Sequence, residues 1–162
     1  MRKLNNEKQA ALFTSLAQHV ESILADSEDY HYARQSIDLC WKWIEHRDVS
    51  GRALLDLYHA DDDSGVDTAM YIEKVAIKKN VWACLGWALI FTSYCAYEIE
   101  GGPVPETIEC VDPEQALTDF LRYFHGAVGD TQLPDSLIVF LKDLPDDHLT
   151  QAVVSAEMNK LA

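Results

Sequence analysis

Between Val81 and Tyr97 the chain runs for 17 residues without a charged side chain, and that run limits the folds open to it. One possibility is a membrane span, at the lower edge of the roughly 17–25 residues that a span needs. The other is a helix at the centre of a bundle, apolar all round because every face is covered. Lys78 and Lys79 ahead of the run would suit the cytoplasmic flank of a span. Against that, the run contains Gly86, Thr92, Ser93, Tyr94 and two cysteines, and the segments around it look like partners in a soluble bundle. The central-helix reading follows, and no membrane partner is expected.

Helical spacing prevails in the rest of the chain. Leu12, Phe13, Leu16, Val20, Ile23 and Leu24 form one stripe, with Asn5 or Asn6 placed to cap its helix. A second helix, over about residues 29–46, carries Ala33, Ile37, Cys40, Trp41 and Ile44 on one face. Tyr32, Ser36, Leu39 and Trp43 line a neighbouring face, so this helix either packs on two sides or offers one to a partner. Ser50 can cap a short helix through Tyr58, and residues 59–65 read as an acidic turn. A further helix over about residues 67–79 would end with Lys78 and Lys79 against its C-terminal dipole. The segment Gly101-Gly102-Pro103-Val104-Pro105 is the strongest break. Asp112-Pro113-Glu114-Gln115 then starts another helix, with Asp112 as its cap and proline at the first helical position. Pro134 and Pro145 open two more helical segments. No alternating pattern persists long enough for a sheet. The expected fold is all-α, a single domain over residues 1–162, with about seven or eight helices around a central helix at about 81–97.

Composition agrees with a globular domain, since 48% of the 162 residues are hydrophobic and only 12 are glycine or proline. No long apolar run follows the basic start, so no signal peptide is read and a cytoplasmic location is expected. Cys40, Cys84, Cys95 and Cys110 form no CxxC pair and are read as reduced. The turn at Asp61, Asp62 and Asp63 fails as a calcium loop: with Gly65 in the sixth position the loop would begin at Ala60 and end at Tyr71. Glu28 and His31 make one Glu-x-x-His unit, whereas a di-iron bundle needs two. No HExxH, GxSxG, Walker loop or GxGxxG occurs. Neither catalytic residues, nor a metal, nor a cofactor is expected.

Charge carries more information. The net charge of −14 would repel a phosphate backbone, so no direct nucleic-acid contact is expected. Residues 80–162 hold a net −10 against −4 in residues 1–79, and no lysine or arginine occurs between Lys79 and Arg122. That window contains Glu98, Glu100, Glu106 and Glu109. A field of one sign steers a basic partner, and these four, with Asp61, Asp62 and Asp63, are candidate contacts. Trp43, with Glu45 among its charged neighbours, is the candidate aromatic anchor, because tryptophan buries much area with little rotamer loss.

Cys40-Trp41-Lys42-Trp43-Ile44-Glu45, followed by Leu57-Tyr58, the Asp61-to-Gly65 turn, Trp82-Ala83-Cys84, Ala96-Tyr97 and Pro105-Glu106-Thr107-Ile108-Glu109, resembles an all-α immunity-protein family. Its members are the antidotes encoded beside bacterial polymorphic toxins, contact-dependent inhibition toxins included. The resemblance covers about residues 30–112, with Cys-Trp-x-Trp-Ile-Glu as its most specific part. It implies no catalysis. It implies tight binding in the cytoplasm to the C-terminal domain of a cognate toxin, expected to be a nuclease with a basic surface; mutual repulsion at −14 predicts a monomer alone, and a heterodimer with the toxin is expected. The alternatives are a small acidic chaperone or adaptor for a secreted protein, and an enzyme with an unfamiliar site.

Overall fold

The computed structural model describes residues 3–162; Met1 and Arg2, part of the basic start read above, lie outside the described residues. Its centre is a 25-residue helix, α5 (Ala76–Glu100), which contains the uncharged run. From Val81 to Ala96 every residue of it is buried except Trp87, Ile90 and Tyr94. No helix of the described residues is long and apolar enough to cross a membrane. Around α5 stand α1 (Asn6–Val20), α2 (Tyr30–His46), α3 (Gly51–Tyr58), α4 (Val66–Ile72), α6 (Glu106–Glu109) and α7 (Pro113–Val128). The chain ends in α8 (Leu133–Asp143) and α9 (Gln151–Leu161), and no strand occurs among the described residues. The all-α prediction with a central helix is borne out.

A second helix is almost as enclosed. From Lys8 to Ala17 every residue of α1 is buried, because α2, α5, α7, α8 and α9 all touch it. Phe13 stacks on Phe120 of α7 with ring centroids 4.3 Å apart, and tilts against Phe91 of α5 at 5.2 Å. Leu133, Leu137, Leu141, Val154 and Met158 extend the same core into α8 and α9. The predicted caps mostly form. Asn5 accepts from the Lys8 amide at 2.8 Å and Ser50 from the Ala53 amide at 3.0 Å.

Two expectations need correction. The helix predicted over 67–79 is broken, since α4 stops at Ile72, Glu73 and Val75 are extended, and α5 begins at Ala76. No glycine or proline marks the break; packing makes it, because Val66 and Ala69 of α4 and Val81 and Trp82 of α5 all face one core. Lys78 and Lys79 therefore lie in the first turn of α5, where the helix dipole opposes a cation, and Lys78 is held by Asp26 at 2.8 Å. The corner leaves Tyr71, Ile72, Val75 and Ile77 exposed.

The second correction concerns Trp43, which is 2% exposed, as deeply buried as Trp41. Helix α2 packs on two sides, against α1 and α5 and against α3, so Ser36 and Trp43 of its second stripe are buried while Tyr32 and Leu39 are half-buried. Arg47, in the left-handed conformation at φ 56° that ends α2, lays its guanidinium over the Trp43 ring at 4.1 Å and donates to the carbonyl of Trp43 at 2.9 Å. Trp43 does not reach the surface as an anchor.

Candidate functional site

The three side chains that escape burial along the middle of α5 lie in line. Trp87, Ile90 and Tyr94 are spaced by three and four residues, which places them on one face, and Glu98 continues that face one turn further. α3 and α4 wall the face on one side, α6 and α7 on the other. The result is a groove in two adjoining parts. The smaller, about 160 Å³, has Tyr58 and Met70 on one wall, Tyr123 on the other, and Ala83, Gly86, Trp87 and Ile90 beneath. The larger, about 380 Å³, shares Trp87 and Ile90 and is walled by Thr107, Cys110, Asp112, Gln115 and Asp119. Gly86 admits the Tyr58 ring, since a Cβ there would stand 3.0 Å from it.

Local chemistry explains how carboxylates come to edge an apolar floor. Pro113 opens α7, as its sequence predicts, but the Asp112 side chain makes no capping bond and lines the groove instead. Asp119 faces the groove from two turns further along α7 and accepts from Gln115 at 3.1 Å. Burial raises the Tyr94 hydroxyl above its ordinary pKa, and the carboxylates of Glu98 and Asp112 raise it further. Tyr58 is pushed up to about 12 by burial and by Asp67, to which its hydroxyl donates at 3.4 Å. Both phenols thus remain neutral donors at physiological pH. An apolar, aromatic floor with a negative rim suits a partner that brings an apolar body and a positive charge.

The acidic residues singled out in the sequence divide into two groups. Glu98 is exposed on the α5 face beyond Tyr94, outside the lining of the groove, and Glu106 and Glu109 are exposed on α6, the four-residue helix that also presents Thr107. Glu100 and Glu45 serve the fold. Glu100 accepts from the Gly51 amide at 2.7 Å, at the start of α3, and Glu45 from the Gln151 amide at 2.6 Å, at the start of α9. Asp62 is tied into its own turn by the Ser64 amide at 3.1 Å, and the bonds from Ser64 hold its carboxyl below the usual range. Asp61 and Asp63 are exposed, 4.0 Å from Arg52 and 3.9 Å from His59. His59 also lies 3.2 Å from Asp67, which links this turn to Tyr58 and the groove wall. Glu28 and His31 are exposed, and no group of three or more His, Cys, Asp or Glu residues among the described residues is placed to hold a metal ion.

Sequence reasoning missed Trp87, Ile90 and Tyr94, together with Tyr58 and Tyr123. The signal was present: the bulky members of the uncharged run recur at 87, 90 and 94, and Glu98 falls in register with them.

Cys110 is the one exposed thiol of the four, and it lies in the groove. Burial pushes the Cys40 thiol up to about 12 and raises Cys84 and Cys95 as well. A thiol reagent at pH 8 should therefore modify one cysteine in the native protein and all four in denaturant, because the thiolate is the nucleophile. Peptide mapping of the native adduct should find the label on Cys110; label on Cys40, Cys84 or Cys95 would contradict the burial described.

No curated protein and no solved structure matches the chain. A family model does, that of Immunity protein Imm6, over residues 8–126, which runs from the third residue of α1 to all but the last two residues of α7 and so takes in every wall of the groove. The chain belongs to the Imm6 immunity protein family.

Proposed function

We propose that this immunity protein neutralises a nuclease-type toxin in the cytoplasm, by seating a basic surface of the folded toxin domain on the α5 groove. The observation that carries the reading is the half-buried line of Trp87, Ile90 and Tyr94, edged by Asp112 and Asp119 and followed one turn on by Glu98, on a chain of net charge −14. Rigid aromatic area with few rotamers to lose is the usual centre of a strong contact, and carboxylates at its rim set orientation and association rate. The protein acts by occupancy rather than chemistry. It is a monomer before the encounter and half of a heterodimer after it. Glu106 and Glu109, on the α6 wall, supply long-range attraction, and the Asp61–Asp63 turn supplies it from beyond the α3 wall.

The test is association kinetics with the toxin domain encoded by the neighbouring gene. The rate constant should fall as salt rises, since charges are screened over about 8 Å at physiological ionic strength. Glu106→Lys with Glu109→Lys should lower it about tenfold at low salt and leave the helical spectrum intact. Indifference to salt and to reversal would assign the acidity to solubility. Binding of an extended segment in preference to the folded domain would favour a chaperone.

A further inference from the structure

Arg122 is the only lysine or arginine between Lys79 and Lys142, and it touches Asp119 and Tyr123, which line the groove. Its guanidinium carbon lies 5.0 Å from the centre of the Tyr123 ring, and Nη2 is 3.7 Å from Asp119 and donates to the Tyr123 hydroxyl at 3.4 Å. Asp119 and Tyr123 wall the two parts of the groove, which meet at Trp87 and Ile90. The one cation of this long stretch is thus bound by an aromatic face and a carboxylate that both belong to the groove. Nothing clamps it there. Its side chain is 67% exposed, and both partners are near neighbours on its own helix. Such contacts are weak and easily exchanged with solvent.

We propose that Arg122 is a stand-in for a partner's arginine: it occupies the Asp119–Tyr123 edge in the free protein and swings out when an incoming guanidinium takes that place. This rests on the groove being the docking face. Arginine is the residue that fits, because its planar fork stacks on an aromatic ring while pairing with a carboxylate, which the compact ammonium of lysine cannot do. Until it is displaced, Arg122 neutralises Asp119 and keeps its own chain's cation over Tyr123. The displacement gives preference to a partner that brings an arginine over one that brings only an apolar surface.

The experiment uses N-acetyl-arginine amide as the probe, with N-acetyl-lysine amide at equal concentration. The full chain is observed through the Trp87 indole N–H resonance, assigned by its loss in Trp87→Phe. Arginine amide should shift that resonance at millimolar concentration, lysine amide much less, and Arg122→Gln should lower the arginine midpoint at least threefold. Lys160→Gln, which removes an exposed charge on α9, controls for the change in net charge and should move the midpoint little. An unchanged midpoint in Arg122→Gln, a shift equal to that in Lys160→Gln, or equal response to both amides would overturn the proposal. The toxin domain separates this from the docking reading. If Trp87→Ala weakens toxin binding while Arg122→Gln binds no faster than Lys160→Gln, only the stand-in fails. If Trp87→Ala leaves toxin binding unchanged, both fail.

Discussion

Trp87→Ala should weaken binding of the cognate toxin domain by about 2 kcal/mol or more, roughly 30-fold or greater in Kd, while the protein stays folded. Trp87 is the side chain that both parts of the groove share with Ile90, so its removal empties the middle of the contact rather than an edge. The fold tolerates the loss because one side of the ring faces solvent, and far less packing is forfeited than at an enclosed tryptophan. Titration calorimetry measures the affinity and urea denaturation the stability. Trp87→Phe, which keeps an aromatic face, should retain most of the binding. Full affinity in Trp87→Ala would place the toxin elsewhere on the molecule.

Trp43→Ala should behave in the opposite way, losing about 3–5 kcal/mol of folding stability, and Trp41→Ala should lose a similar amount. Both rings are 2% exposed, and Trp43 also carries the Arg47 guanidinium that closes α2. Whatever toxin binding either variant loses should track its unfolded fraction and return at lower temperature. A stable Trp43→Ala protein with weakened binding would reverse the correction and restore Trp43 to the interface.

The difference between the two tryptophans shows what the sequence could and could not convey. Spacing alone identified α2, the Asn5 and Ser50 caps, the proline at the start of α7 and the enclosed run in α5, because each is a local property of a few neighbouring residues. Which stripe of a two-striped helix faces outward is not local. Trp43 lies on the minor stripe of α2, yet it is as buried as Trp41 on the major one. Trp87 lies in a run apolar all round, yet α4 and α7 part above it. The break at Glu73–Val75 was invisible for the same reason, since no residue there opposes a helix and only packing on α5 does. Of the candidate carboxylates, Glu98, Glu106 and Glu109 were found through the charge asymmetry. Glu100 shared that signal, and Glu45 was singled out by its place beside Trp43, but both cap helices far away in sequence. The long-range partners of a carboxylate, more than its charge, decide whether it is available to a partner.

The enclosure of α1 has a consequence in time. Its Lys8-to-Ala17 stretch has its final cover on α8 and α9, which are synthesised long after it, with Asn5 bonded to Asp146 between those helices at 3.2 Å and Gln18 to Gln151 at 3.4 Å. The face of α1 that α8 and α9 cover must therefore wait, incompletely sheltered, until both helices have been translated. At about 5–20 residues per second, the interval between the end of the α7 code and that point is on the order of a few seconds. The core therefore closes only when α8 and α9 dock, and folding of the domain is completed by helices far downstream of the one they cover.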